Sequence, residues 1–410
     1  MKIEIIRSDF LKTWQMAERS SSAKSTLSSL SGVLVTAEGE EVWLSATDLK
    51  TSIRCAAEGV NVIREGAAIL PVKLLGELFK KAPSDKLTVE VKDEKGLLMA
   101  GRNKTKFATW PVSDFPKLAD SGGAQILCDI PAGELLRLLV EGSIASSPAD
   151  DFPKYLGACL LQLTGENLRL ISTDTRRLSL SKWLCGEVGE KGEPSDLLLP
   201  VLPLRELQRL LASTAPETPV RILYDGSLTW FQLGKTEFSI RRVESSFPNY
   251  EKILNPVKTT TILLKRDEFL SALDRIDIIV RSHTRLVVMH LSPGGSLRLT
   301  GKAPEFGVVV EELDADIGGD PIQAGFNVGF LQDGLKALGT ESVRMNLNGE
   351  AGQATICREE ADDFLYMLMP IRITEQDIIE PDDDEFEKSE ERAAENAAEE
   401  TEGKDEKEQE

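Results

Sequence analysis

Apolar and polar positions along this chain fall into short blocks whose period switches between two and three to four, and the order of those blocks recurs. Lys2 to Ile6 alternates as a half-buried strand does. The stretch SDFLKTWQMAER that follows puts Phe10, Leu11, Trp14 and Ala17 on one stripe and Lys12, Gln15 and Arg19 opposite, which predicts a helix with Ser8 as its N-cap. Strands are predicted at Gly32 to Thr36, on both sides of a turn at Thr47 and Asp48, and at Lys86 to Val91, Leu97 to Ala100 and Lys104 to Trp110. Between them ILPVKLLGELFKK predicts a second helix opened by Pro71, with Leu74, Leu75, Leu78 and Phe79 inward and Lys73, Lys80 and Lys81 outward.

The same programme returns further along. LSATDLKTSIR at 44–54 matches LISTDTRRLSL at 170–180, so Thr47 and Asp48 stand where Thr173 and Asp174 stand. ILPVKLLGELF is in register with LLLPVLPLRELQRLL at 197–211, and the loop SDFP with SSFPNY. A third round begins at the strand Thr260 to Leu264, followed by the helix KRDEFLSALDRIDIIVR, a hairpin SPGGS, the helix within GFNVGFLQDGLKALG, and YMLMPIRI as last strand. Each round carries two helices and seven or eight strands. The expectation is an α+β fold of three tandem domains, residues 1–122, 123–255 and 256–373, with a disordered acidic tail at 374–410.

Charge first argues against a nucleic-acid partner and then, by its distribution, does not. The net charge is −20, but residues 374–410 hold 18 Asp or Glu against 4 Lys or Arg, which leaves −6 for the other 373 residues. That tail has only Ile378, Ile379 and Phe386 as large apolar residues, too few to offset the cost of ordering it. In the body, every predicted helix carries cations on its polar side: Lys12 and Arg19; Lys73, Lys80 and Lys81; Arg137; Arg205 and Arg209; Arg266, Arg275 and Arg281; Lys336. One such helix is an ordinary solvated face. Six in a net acidic molecule point to a shared surface that follows a phosphate backbone without reading bases.

Candidate chemistry is sparse. Two histidines, His283 and His290, have no partners at triad or ligand spacing, no phosphate-cradling glycine loop follows a strand, and Asp48 and Asp174 read as turn residues that bond their own backbone. Five scattered cysteines without a CxxC pair read as buried, reduced thiols. No run approaches the roughly 20 apolar residues of a membrane span, and the N-terminus has no signal-peptide core. The expectation is a cytoplasmic, non-catalytic protein without cofactor or metal.

Taken in order, STDTRRLSL after Tyr155 and Leu156, FPNYEKIL at 247–254, GFNVGFLQDGLKAL at 325–338 and MPIRI at 369–373 resemble the bacterial DNA sliding clamp, the beta subunit of the DNA polymerase III holoenzyme. The resemblance covers about residues 1 to 373. It implies a DNA-replication processivity factor: a head-to-tail homodimer whose six domains close a ring, helices lining a hole for duplex DNA. It further implies DNA contacts from Lys24, Lys154 and Tyr155 beside the helix cations, and an interface of Lys73, Leu74 and Phe107 with Ile278 and Ile279 of the next copy. A peptide cleft between the second and third domains would use Leu156, Thr173, Thr175, Arg176, Leu178, Pro248, Lys252, Ile253, Asn327, Phe330, Ala351, Gln353, Met367, Leu368, Met369, Pro370, Ile371 and Arg372. Its implied partners are the polymerase alpha subunit, the clamp loader, repair polymerases, ligase and mismatch-repair proteins.

The chain departs from that family pattern where Gly-His is common and Thr175 and Arg176 stand here, where Phe330 replaces a frequent Tyr, and at Thr284, near which an aromatic is usual. These departures bear on which peptides fit. The alternative reading is a peptide-binding tether that never encloses DNA.

Overall fold

The computed structural model describes residues 1–22, 26–147, 153–185, 195–254, 257–292 and 297–378. Lys24, residues 293–296 of the hairpin SPGGS and the tail beyond Ile378 therefore lie outside the described residues. Among those described are six α-helices, α1 (Arg7–Glu18), α2 (Val72–Lys81), α3 (Ala132–Gly142), α4 (Val201–Ala212), α5 (Arg266–Val280) and α6 (Val328–Ala337), and 26 strands, all of whose pairings are antiparallel. The class is α+β, and the helices come as three pairs, as the repeat predicted. The chain divides into two compact units: residues 1–255 with 337–339 and 355–368, and residues 256–336 with 340–354 and 369–410.

In the first unit a five-stranded sheet runs Val60–Arg64, Lys2–Ile6, Lys86–Lys92, Lys95–Ala100, Asn103–Ala108. An eight-stranded sheet joins the first two repeats, because Thr51–Ala56 pairs with Thr236–Arg241. In the third sheet Ser195–Pro200, Ala158–Thr164, Asn167–Thr173, Arg177–Leu184 and Phe364–Leu368 lie side by side. In the second unit Ser342–Leu347, Thr260–Lys265 and Asp316–Gly319 form one layer, and Gly307–Leu313, Leu297–Ala303, Leu286–Leu291 and Ile322–Asn327 another.

The helices bury one stripe against these sheets. Phe10, Trp14 and Phe79 meet edge-on between α1 and α2, with Trp14 and Phe79 centroids 5.1 Å apart at 90°. Leu135, Leu138 and Leu139 of α3 and Leu204, Leu207 and Leu211 of α4 are buried in the same continuous core. A Cβ at Gly142 would sit 2.6 Å from the Leu170 carbonyl oxygen, so only glycine lets α3 lie this close to the strand beneath. In the second unit Phe269, Leu273 and Ile276 of α5 and Leu331 and Leu335 of α6 are buried.

Local details correct three expectations, for Ser8, Leu74 and the last strand, and bear out the prolines at the helix starts. Ile6, not Ser8, occupies the N-cap of α1, because the strand runs straight into the helix and Ser8 falls within its first turn. Pro71, Pro131 and Pro200 each end a strand and cap the next helix; a residue that lacks an N–H and is fixed near φ −60° suits a junction where no donor is needed. Leu74 points outward, 45% exposed, because α2 buries Val72, Leu75, Gly76 and Phe79 instead. The last strand ends at Leu368: Pro370 cannot donate to a ladder, and Ile371 rejoins the sheet only through its N–H to the Gly325 carbonyl at 2.8 Å.

Candidate functional site

The duplicated turn is reproduced atom for atom. The Asp48 Oδ1 accepts the N–H groups of Lys50 (2.9 Å) and Thr51 (2.6 Å), and the Asp174 Oδ1 accepts those of Arg176 and Arg177, both at 3.0 Å. The Thr47 hydroxyl donates to the Thr51 carbonyl and the Thr173 hydroxyl to the Arg177 carbonyl, at 2.6 and 2.8 Å. Both aspartates are thus occupied in closing their own loops. The residue between is left-handed in each: Leu49 at φ 71° and Thr175 at φ 75°. Thr175, β-branched, holds that conformation against its own sterics, at the position where the resembled family commonly has glycine.

Cations expected to meet DNA divide into those brought together and those already engaged. Lys12 of α1 and Arg19, the residue that caps its C-terminus, face Glu206 and Arg209 of α4 across a narrow gap floored by Ile53 and Phe238. Arg205 and Lys154 are exposed, and Lys154 shares a larger depression with Arg19. Tyr155 is half-buried, its ring 5.9 Å from Phe247. On α2, Lys80 and Lys81 pair loosely with Glu77 at 3.8 and 3.1 Å, and Lys73 is exposed. In the second unit Arg281 is exposed and Lys336 lies 3.8 Å from Asp274. Exposed pairs of this kind are weak and exchange readily for phosphate.

Two expected contacts are corrected. Arg137 donates to Glu134, Glu141, Asp363 and the Lys182 carbonyl at 2.9–3.2 Å, so its guanidinium is a structural tie rather than a DNA-facing group. Glu141, 2% exposed, also accepts from Ser181 at 2.6 Å and from Arg358, which in turn reaches Asp363 at 2.7 Å. Arg275 is held in a two-bonded pair by Glu311, at 2.6 and 2.5 Å, and turned toward its own sheet.

The expected cleft residues fall on both units. In the first, Leu178 and Met367 belong to a buried cluster with Leu160, Ile171, Leu180 and Tyr250, and Leu368 is 2% exposed. These three are core, which corrects their expected role as open walls; the strand pairing Leu178 to Met367 seals them. Leu156 is half-buried, Thr173 is buried, and Thr175, Arg176, Pro248, Lys252 and Ile253 are exposed. In the second unit Asn327 accepts the Phe330 N–H at 3.2 Å at the start of α6, and Phe330, Gln353, Pro370 and Ile371 are half-buried. Ala351, Met369 and Arg372 are exposed there.

Of the expected interface residues, Lys73, Leu74 and Ile278 are exposed and Ile279 is half-buried, but Phe107 is 8% exposed, its ring filling the space above Gly96. Its strand, Asn103–Ala108, ends its sheet, as Gly307–Leu313 ends another. Both therefore present unpaired backbone groups.

His290 bonds Thr300 and Gln323, and burial, with Arg298 adding to it, pulls its pKa below the usual imidazole value. All five cysteines are free and buried, and burial pushes Cys55 and Cys159 up to about 12. Among the described residues no group of three or more His, Cys, Asp or Glu could hold a metal, and no helix is long and apolar enough to cross a membrane.

Residues 1–119 match the family model of the DNA polymerase III beta subunit N-terminal domain, and residues 252–372 match that of its C-terminal domain. The chain belongs to the beta sliding clamp family. A beta sliding clamp of Pseudomonas putida is 29% identical over 374 residues, covering 91% of this chain and all of the relative. That of Vibrio cholerae is 27% identical with the same coverage. Among solved structures, a Pseudomonas aeruginosa clamp bound to griselimycin superposes with a TM-score of 0.85 at 28% identity, over 91% of this chain and 100% of that one. A DNA polymerase III beta subunit of Thermotoga maritima, 23% identical, shares the fold with a TM-score of 0.82 over the same shares.

What sequence reasoning missed in this sliding clamp were Lys50, Arg241 and Arg242, which border the depression beside Lys154 and Arg19. The Arg-Arg pair that ends the strand Thr236–Arg241 was a visible signal.

Proposed function

We infer that the chain is a DNA polymerase processivity factor, a ring-shaped sliding clamp. The observation that carries this is the likeness to sliding clamps over their whole length. Three domains per chain, at 1–122, 123–255 and 256–373, close a six-domain ring when two copies meet head to tail. The Asn103–Ala108 edge of one copy, bearing Lys104 and Lys106, suits the Gly307–Leu313 edge of the next, bearing the exposed Glu312, with Leu74 against Ile278.

Duplex DNA passes through the ring. Lys12, Arg19, Lys73, Lys80, Lys81, Lys154, Arg205, Arg209, Arg281 and Lys336 hold it by weak phosphate contacts, while the closed ring, not affinity, prevents loss. Sequence-independent contacts that exchange quickly permit sliding. No step of this task needs a catalytic group. The cleft around Thr175, Arg176, Ile253, Phe330, Met369, Pro370 and Arg372 takes short peptides from the polymerase alpha subunit, the clamp loader and repair proteins, raising their effective concentration at the primer end. The protein works in the cytoplasm, on the nucleoid.

The test is retention after loading on circular and linearised DNA. A ring stays on the circle and runs off the line; equal loss from both defeats the reading and leaves a tether that does not enclose DNA.

A further inference from the structure

The first unit holds a depression built on the same turn, strand register and chain return as the residues implied for partner peptides. Lys50 stands in its turn where Arg176 stands in the other, each donating its N–H to the turn aspartate. The strand Thr236–Arg241 pairs with the strand after the first turn as Phe364–Leu368 pairs with the strand after the second, so Arg241 to Glu244 correspond to Met369 to Arg372. Beyond both strands the chain makes the same return: Val243 donates to the Leu198 carbonyl and Ile371 to the Gly325 carbonyl, each at 2.8 Å. Pro200, just before α4, correspondingly matches Asn327, just before α6. These elements enclose a depression of about 860 Å³ with a different lining.

Its rim is cationic and its floor apolar. Arg19, Lys50 and Lys154 are exposed and form no ion pair among the described residues. Arg242 spends its guanidinium on the carbonyls of Asp225 and Asp196, beside the Asp225 carboxylate, and Arg241 reaches the Leu49 carbonyl. Of the three acids present, Asp48 closes its own turn and Glu206 pairs with Arg209, which leaves Glu244 as an exposed carboxylate against five cations. Leu202, 56% exposed, and Val243 supply the floor. A phosphate backbone would leave that floor bare. An acidic segment with spaced apolar side chains would cover both.

This chain carries such a segment. Residues 379–410 hold 16 acidic against 4 basic side chains, with Ile379 and Phe386 on either side of Asp382, Asp383 and Asp384. Fully extended, these 32 residues reach on the order of 100 Å. We propose that the cleft bordered by Lys50, Arg241, Arg19 and Lys154 binds the acidic C-terminal segment of this chain. Tail and DNA then compete for Arg19 and Lys154, and the competition weakens as salt rises.

The test uses the full chain with photoreactive benzoyl-phenylalanine in place of Phe386, irradiated at low salt and mapped by mass spectrometry. The expected crosslinks fall on Leu202 and Val243. They drop about tenfold in Lys50→Glu/Arg241→Glu, two exposed changes whose folding is checked by an unchanged Tm, and return when Asp382, Asp383 and Asp384 are also changed to Lys. Arg176→Glu/Arg372→Glu leaves them unchanged. Crosslinks that persist in the cleft variant, fail to return on charge swapping, or fall instead on Met369 and Ile371 overturn the proposal. None of these readouts requires DNA loading.

Discussion

The turns at Thr47–Thr51 and Thr173–Arg177 share their hydrogen bonds and their left-handed residue, yet the surroundings have given them different energetics. After the first, the strand Thr51–Ala56 meets its neighbour through a hydroxyl pair, Ser52 with Ser239 at 2.7 Å, and carries the buried thiol of Cys55. After the second, the residue corresponding to Cys55 is Ser181, bonded to buried Glu141 within a network of Arg137, Arg358 and Asp363. Asp174 also binds Arg177 at 2.9 Å, which in turn donates to Tyr366 at 3.0 Å. The same turn therefore leads into one neutral and one ionic junction, and the difference lies in Arg177 and Ser181, the side chains that replace Thr51 and Cys55, and in the charged groups that pack on them.

The comparison can be broken most forcefully at the network. Glu141→Ala leaves two guanidinium groups, Arg137 and Arg358, partly buried without their shared carboxylate, and should lower the unfolding free energy by about 3–5 kcal/mol in urea titration. Ser52→Ala, the corresponding change at the neutral junction, should cost about 1 kcal/mol. Asp174→Ala should cost about 3 kcal/mol against about 2 for Asp48→Ala, since only the former also removes a carboxylate from a half-buried arginine; equal losses would mean that the turns, not the added ion pair, hold the energy.

Cys55 sharpens the contrast through pH. Its native pKa is raised from 9.0 to about 12, so the folded chain keeps a proton that the unfolded chain loses. The associated stability is complete below pH 9 and disappears as pH rises toward 12, about 1 kcal/mol by pH 10. Cys55→Ser should flatten that decline in thermal melts between pH 8 and 10. The smallest effect is expected at the strained residue: Thr175→Gly should raise stability by about 1 kcal/mol, read as a higher Tm.

Much of the fold was legible because it depends on short-range rules. The stripe Phe10, Trp14 and Ala17, the strand-ending prolines and the Thr-Asp turns all act within a few residues of themselves. Where reading failed, a long-range partner decided. Arg137 looked like any cation on a helix back until strands from residues 177–184 and 364–368 brought Ser181, Lys182 and Asp363 to it. Arg275 was claimed by Glu311, 36 positions away. Leu178, Met367 and Leu368 were placed among the open cleft residues, but the pairing of their strands buries them. Leu74 failed for a smaller reason: a helix stripe is narrow, and a shift of one residue moves a side chain about 100° around the axis.

By itself, then, the sequence determined the repeat, the α+β class, the turn chemistry and the concentration of acid in the tail, because periodicity, backbone conformation and net charge are local properties. Only the tertiary structure decided which cations remain free. A guanidinium's state depends on carboxylates and carbonyls that approach from anywhere in the chain, as Asp363 does to Arg137 across 226 positions. It also decided that Lys50 and Arg241, ordinary surface residues in the sequence, share a cleft with Arg19 and Lys154. The physical reason is that hydrogen bonding within a turn is settled over three or four residues, whereas a surface potential is the sum over every charge that folding brings near.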